Sequence, residues 1–322
     1  MNYFDLFSEV TDLGISERTP ENSLLFPGPI SVNQIEQGGQ MLEYISGVLQ
    51  LCKSITDDEF TIQFEGLFWR GHWDNRVVDG RWIRLRKQPS VAPAIDTLPI
   101  PLPKPIQDLL LNQQITSGMV MIVGSTGSGK TTTASATVVS RLKKLGGISY
   151  TVEDPPELPL NGWHGEGYCT QTRVNQSAEG DPWAAALKGA LRSQPAKTPA
   201  ILFVGEIRTP EAARVALQAA SNGFLVIATA FATDIVAGVE AYAKHVGPEN
   251  YSLLADLLRI VVFQNLTGDI LKVNVLVNRE GSSVSGYIRK GAFTSLTDEF
   301  TLQKNLLMQG TNLLAPEMQR AA

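Results

Sequence analysis

Cysteine is scarce in this chain: it occurs only at Cys52 and Cys169 among 322 residues. Two separated thiols cannot make an all-cysteine zinc site, and so few cysteines favour a reducing compartment over a disulfide framework. Histidine is nearly as rare, at His72, His164 and His245. No apolar run approaches the roughly 20 residues a membrane helix needs. The amino-terminal "MNYFDLFSEVTDLG" is acidic and lacks the basic-then-apolar order of a signal peptide. Positive charge is not in excess either. Lys plus Arg number 27 against 32 Asp plus Glu, a net charge of −5, so the overall field exerts no pull toward nucleic acid. These absences lead us to expect a cytoplasmic protein without zinc and without a specific nucleic-acid partner. With 43% hydrophobic and 18% charged residues, the chain can bury an ordinary globular core.

Proline is present but unevenly spread. Residues 89–105, "PSVAPAIDTLPIPLPKP", carry six prolines and no helix or strand period. That density favours extended backbone, and predicts a domain over residues 1–88, a linker over 89–105 and a domain over 106–322. In the first part, "SVNQIEQGGQMLEYISGVLQLC" has loosely helical apolar spacing. In "EFTIQFEG", Phe60, Ile62 and Phe64 alternate with polar residues, and in "RWIRLRKQ" Ile83 and Leu85 share one face while Arg84 and Arg86 share the other. A small mixed α/β domain follows from this. After the linker, "MVMIV", "GISYTVE", "ILFVG" and "FLVIATA" are nearly continuous apolar runs separated by helical segments, as parallel strands covered on both faces require. Asp181-Pro182 and Thr209-Pro210 read as helix caps followed by proline, and Asn222-Gly223 as a helix end. The second domain is therefore expected to be α/β with a mostly parallel sheet.

Directly after "MVMIV" stands "GSTGSGKTTT". Gly124, Gly127 and Gly129 let the backbone curl until its N–H groups converge, and a helix opening near Lys130 adds its positive end to the same point. Ser125, Thr126, Ser128 and Thr132 complete the loop; Lys130 can reach terminal phosphates, and the Thr131 hydroxyl can ligate Mg²⁺. This loop predicts a nucleoside triphosphate as ligand. In such sheets ligands lie beyond the carboxyl ends of the strands. "ILFVGEIR" ends one apolar run with Glu206, then Arg208, and "TVEDPPE" ends another with Glu153 and Asp154. Burying an acid is costly without a partner. Three carboxylates beside a Mg²⁺–phosphate centre are what holding the metal and activating water require.

The order "GSTGSGKTTT", "TVEDPPEL", "ILFVGEIRTPEAARVALQAASNGFLVIAT" resembles the secretion-ATPase superfamily of type II/IV secretion and traffic ATPases, and within it the PilT-like retraction motors of type IV pili. The resemblance is tight from about Met119 to Thr233 and looser in "TDLGISERTP", "IRLRKQP" and "SSVSGYIRKG". It implies a RecA-like P-loop NTPase core preceded by a small α+β PAS-like domain, with ATP and Mg²⁺ as ligands. It further implies hydrolysis that powers a pilus, or a related secretion or conjugation machine. By this resemblance Glu206 takes the place of the catalytic glutamate, and Glu153 and Asp154 that of an acidic box supporting Mg²⁺ and water. Arg86, and less closely Arg70, fall where the family's arginines reach nucleotide on a neighbouring subunit. A solvated strand face stands as the alternative for Arg70, Arg84 and Arg86. Family members are hexamers, so the resemblance implies a homo-oligomer working against an inner-membrane platform protein, associated with the membrane through that partner. Pilus-assembly and type II secretion motors usually carry a tetracysteine zinc element, which two distant cysteines do not supply.

The resemblance breaks after the helix that follows "ILFVGEIR". Where the family reads Gly-His-Leu and then Leu-His-Thr, this chain has "GFLVIATAFATD", with Phe224 and Phe231 in the histidine places. An imidazole can hydrogen-bond a γ-phosphate; a phenyl ring cannot. Hydrolysis can rest on the loop, Mg²⁺ and Glu206, whereas coupling to movement is put in question. Two other readings stand beside the motor: a weakly hydrolysing nucleotide-binding assembly subunit, and a RecA-like motor on nucleic acid. The last lacks a basic stripe interleaved with aromatics.

Overall fold

A computed structural model of the chain describes residues 3–27, 32–34, 39–55, 57–174 and 180–314. It divides into two compact units, the first reaching Val91 and including Pro155–Pro159, the second running from Ala92. The first unit holds α1 (Tyr3–Leu6), β1 (Asp12–Ser16), β2 (Leu24–Phe26), β3 (Asn33–Gln34), α2 (Gln40–Lys53), β4 (Glu59–Phe64), β5 (Leu67–Asp74) and β6 (Trp82–Lys87). Its strands form one antiparallel sheet in the order β3-β2-β1-β6-β5-β4. Helix α2 buries Tyr44, Ile45, Val48, Leu49 and Cys52, the stripe its period calls for. That stripe joins Ile15, Ile62, Trp69, Ile83 and Leu85 in a single core. The Trp69 indole N–H donates to the Tyr44 hydroxyl at 2.7 Å, which satisfies both buried polar atoms. Strand alternation then sends Arg70, Arg84 and Arg86 to the opposite face, where each meets an acid.

The second unit is built from α3 (Lys104–Leu110), β7 (Gly118–Gly124), α4 (Lys130–Leu145), β8 (Ile148–Glu153), β9 (Gly162–His164), β10 (Gly167–Arg173), α5 (Pro182–Arg192), β11 (Ala200–Val204) and α6 (Pro210–Ser221). It continues with β12 (Leu225–Phe231), α7 (Ile235–Val246), α8 (Tyr251–Leu257), β13 (Leu258–Thr267), β14 (Ile270–Val277), α9 (Ser283–Lys290) and α10 (Leu296–Met308). Among the described residues its sheet runs β14-β13-β7-β12-β11-β8-β10-β9. The pairs from β13 to β10 are parallel, and β14 and β9 close the edges as antiparallel hairpin strands. The sheet is thus mostly parallel, with β7, β8, β11 and most of β12 buried on both faces. Met119, Met121, Val123, Leu202, Val204 and Val226 pack with α5, α6, α7 and α8. Helix α4 contacts β7 and β12 without entering that cluster, and lies on the other face.

Cap chemistry fixes where the helices start. The Asp181 carboxylate accepts from the Trp183 and Ala184 N–H groups, and the Thr209 hydroxyl accepts from the Ala212 N–H. The Thr209 hydroxyl in turn donates to Asp181, so the starts of α5 and α6 are tied together. The proline-rich stretch belongs to the second unit from Ala92 onward. Ala92, Ala94, Ile95 and Leu102 are buried, and the Ile95 N–H donates to Ser140 Oγ on α4 at 2.8 Å. On the same helix, Arg141 is only 4% exposed. Its guanidinium donates to the Leu110, Asn112 and Ile115 carbonyls, joining α4 to the segment that closes α3. Burial pulls the Arg141 pKa down to about 10, so the group is still cationic at neutral pH.

Candidate functional site

The carboxyl ends of β7, β8, β11 and β12 meet at one edge of the second unit's sheet. The glycine loop leaves β7 there and enters α4 with Gly129 as its N-cap residue. Gly127 (φ +75°) and Gly129 (φ +81°) lie in the left-handed region, which glycine enters at least cost. Gly124 is required for another reason. A Cβ there would fall 2.1 Å from the Gln264 carbonyl oxygen and 2.8 Å from Ser128 Oγ. At Gly127 a Cβ would meet no atom within 4 Å, so the outer side of the loop is open. The Ser125 carbonyl draws the loop together, accepting from the Ser128 N–H at 3.3 Å, Ser128 Oγ at 2.8 Å and Lys130 Nζ at 2.8 Å. Thr131 and Thr132 follow in the first turn of α4. Beside the loop a cavity of about 160 Å³ is walled by Leu98, Pro99, Ile100, Leu266 and Leu271.

Two strands deliver the acids. Glu153, the last residue of β8, is 2% exposed. One oxygen accepts from the Gln171 amide at 2.8 Å. Gly205 is small because Glu153 lies against it: a Cβ at Gly205 would stand 3.0 Å from Glu153 Cγ and 3.3 Å from its Cα. Glu206 and Arg208 follow β11. Arg208 Nε donates to Glu206 at 2.6 Å, while Arg208 Nη1 stands 3.9 Å from Asp154. The same guanidinium lies 5.9 Å from the Trp183 ring centre, within cation–π range. Arg208 therefore draws Glu206 and Asp154 together at the sheet edge. The Thr229 hydroxyl on β12 donates to the Gly205 carbonyl, and the Ile207 N–H donates to the Thr229 carbonyl at 2.8 Å. These bonds hold the turn that carries Glu206.

Mg²⁺ prefers hard oxygen donors. The Thr131 hydroxyl and the carboxylates of Glu153 and Asp154 bring donors of that kind to this edge. The structure brings the loop residues, Glu153, Asp154 and Glu206 to this edge. Arg70 and Arg86 belong to the first unit, as register partners on β5 and β6. Arg86 pairs with Asp12 at 2.9 Å and Arg70 with Glu59 at 3.6 Å, on the wall of an open concavity of about 1040 Å³. That larger hollow lies wholly on the first unit's sheet.

The two phenylalanines separate. Phe231 ends β12, in register with Gly124, and is 56% exposed. Phe224 precedes the other end of the strand and is 0% exposed, edge-on to the Tyr150 ring at 6.4 Å. Its carbonyl accepts from the N–H of Gly118, where β7 begins. A strand rises about 3.3 Å per residue, so Phe224 stands roughly 20 Å from the phosphate edge and has no place as a γ-phosphate sensor. The sequence motif suggested otherwise, and the strand's direction corrects it. Sequence reading passed over Gln264, a buried amide at the loop; its signal was the Gln264-Asn265 pair that ends the apolar "IVVF". Arg208 was visible but had no assigned role.

A parallel α/β sheet with a glycine loop between its β7 strand and α4, and acids on the neighbouring strand ends, has the architecture of a RecA-like P-loop domain. The model of the Type II/IV secretion system protein family matches residues 78–283, and the chain belongs to that family. It is 36% identical over 155 residues to a putative type II secretion system protein E of Escherichia coli K12, covering 48% of this chain and 29% of that one. It is 35% identical over 144 residues to the type IV pilus assembly ATPase PilB of Thermus thermophilus, covering 45% of this chain and 15% of that one. The chain thus spans less than a third of the length of these curated relatives. Among solved structures, the pilus retraction motor PilT with bound ADP superposes with a TM-score of 0.66 at 19% identity, covering 97% of this chain and 90% of that one. The Legionella pneumophila ATPase DotB gives 0.63 at 18%, covering 97% and 91%. At such identities these likenesses carry the fold.

Proposed function

We propose that this chain is the ATP-hydrolysing subunit of a motor driving a type IV pilus, in the manner of a retraction motor, or a related secretion or conjugation machine. The observation that carries this reading is the shared edge, at which the loop of residues 124–132 leaves β7 and the residues Glu153, Asp154 and Glu206 stand at the ends of β8 and β11. On this reading residues 1–88 act as a PAS-like domain and 106–322 as the ATPase domain, with the proline-rich stretch of 89–105 packed into the latter from Ala92 onward. Lys130 leaves the Ser125 carbonyl to neutralise terminal phosphates, and the loop N–H groups hold the phosphate oxygens. Thr131, Glu153 and Asp154 hold Mg²⁺, which supplies charge neutralisation at the phosphates. Glu206 orients and deprotonates water once Arg208 releases it. Arg70 and Arg86 reach a neighbour's nucleotide, which a closed ring of six with heterologous contacts permits. The ring works against an inner-membrane platform protein; no helix among the described residues is long and apolar enough to cross a membrane itself.

A second reading, a weakly hydrolysing assembly subunit, draws support from the phenyl ring of Phe231 at the phosphate edge. Steady-state ATP turnover of the purified protein, alone and as Lys130→Ala, separates the readings. A motor hydrolyses ATP and loses hydrolysis with Lys130. Tight binding with negligible turnover in the parent favours the assembly subunit. Binding and turnover unchanged in Lys130→Ala would refute both.

A further inference from the structure

Gln264 sits in β13, in register with Gly124, and is 1% exposed. It touches the phosphate loop twice. Its backbone carbonyl fills the space where any side chain at position 124 would begin. Its amide Nε2 donates to the Ser128 carbonyl, and lies 3.2 Å from where a Cβ of residue 129 would stand. The other amide atom, Oε1, is buried and has no hydrogen-bond partner among the described residues. A buried acceptor left unsatisfied is destabilising, and groups of that kind call for an explanation other than packing. An apolar side chain of the same length would fill the space without the orphan oxygen. The feature retained at this cost is the N–H donor aimed at Ser128.

The peptide plane gives that donor a purpose. In a planar trans peptide the C=O and the following N–H point in opposite directions. Anchoring the Ser128 carbonyl on β13 therefore turns the Gly129 N–H away from β13, toward the open side of the loop. We propose that Gln264 is a positioning residue of the nucleotide site, which through the Ser128–Gly129 peptide aims one of the N–H groups that hold the phosphates. This rests on reading residues 124–132 as a phosphate-binding loop. It also makes β13, and the hairpin it forms with β14, a second element that feels whether the loop is filled.

The test uses the full chain as Gln264→Met, which keeps length and removes the donor, and Gln264→Glu, which keeps shape and replaces the donor with an acceptor. Each is measured for apo melting temperature and titrated by calorimetry with Mg-ADP and with adenosine, which has no phosphate. A hydrogen bond to a charged group is worth enough that its loss weakens binding roughly ten- to a hundredfold. Both variants are expected to melt cooperatively below the parent, Gln264→Glu the lower of the two because it buries a carboxylate against the Ser128 carbonyl, and to weaken for Mg-ADP by that factor, while the adenosine response stays parental. Parental Mg-ADP affinity in both variants overturns the inference. Failure of both to fold, or a lowered melting temperature with unchanged Mg-ADP affinity, also overturns it, because Gln264 would then be a brace alone. A parent that binds no Mg-ADP refutes the nucleotide reading itself.

Discussion

The two ends of β12 put the same residue type to opposite uses. At its amino end Phe224 is sealed between strands and helices, edge-on to Tyr150, whose own hydroxyl donates to the Ser193 carbonyl. At its carboxyl end Phe231 stands in solvent beside the glycine loop. The contrast extends along both edges of the sheet. The amino edge is closed by apolar contact around Phe224. The carboxyl edge is opened by glycines, and holds a buried carboxylate at Glu153 and an orphan amide oxygen at Gln264. Parallel strands make this division natural, since all their carboxyl ends face one way and the loops that follow are free to carry chemistry. One edge supplies stability to the other, where stability is given up for function.

The largest expected effect that would sharpen this comparison lies at the carboxyl edge. Glu206→Gln keeps shape and can still accept from Arg208, but cannot take a proton. Turnover is expected to fall about 10²- to 10⁴-fold, with nucleotide affinity and melting temperature near parental. A turnover within a few-fold of the parent would move the water-activating role to Glu153. Phe224→Ala is the counterpart at the amino edge. Emptying a fully buried phenyl site costs about 3–5 kcal/mol, read as a lower denaturation midpoint, while the folded fraction keeps its turnover per site. A loss of turnover larger than the loss of folded protein would show the two edges to be coupled.

Much of this edge could be read from the letters alone, because its signals are local. The glycine loop, the apolar runs that became β7, β8, β11 and β12, and the Asp-Pro and Thr-Pro caps each lie within a few consecutive residues. What escaped is what depends on three dimensions. Arg141, within "VVSRLKKL", looks like a solvated helix charge but is buried under three carbonyls of a segment about 30 positions earlier. Gln264 finds Ser128 across 136 positions. Phe224 and Phe231 look alike until the strand between them acquires a direction.

A smaller effect should follow from Gly205→Ala, where the two inward-leaning strand ends meet. The new Cβ would press on Glu153 Cγ and Cα at 3.0 and 3.3 Å. Glu153 is buried and held by Gln171, so it has little room to retreat. Overpacking of this kind costs about 1–3 kcal/mol, and the displaced carboxylate should raise the Mg²⁺ concentration needed for half-maximal turnover. Lost stability with unchanged Mg²⁺ dependence would take Glu153 out of the metal set.

The smallest effect is expected at Phe231. It is exposed and its backbone is already secured: the strand pairs with Gly124, and the Ala232 N–H donates to the Gly124 carbonyl at 3.2 Å. Phe231→His should therefore shift stability by no more than about 0.5 kcal/mol, as for an ordinary surface position. Its value is in what it does to coupling. A ligand moves a conformational equilibrium only through its different contacts with the two states. With a phenyl ring at this place, ATP and ADP differ little in what they offer the end of β12, and hydrogen exchange across residues 224–233 should differ only modestly between the two nucleotides. Phe231→His restores a group able to bond the γ-phosphate, and should widen that difference at the carboxyl end of the strand while leaving the Phe224 end unchanged. If Thr229, bonded to the Gly205 carbonyl one residue before Glu206, already carries the sensing, the histidine will add nothing. The parent will then show a large ATP-against-ADP difference that Thr229→Val removes.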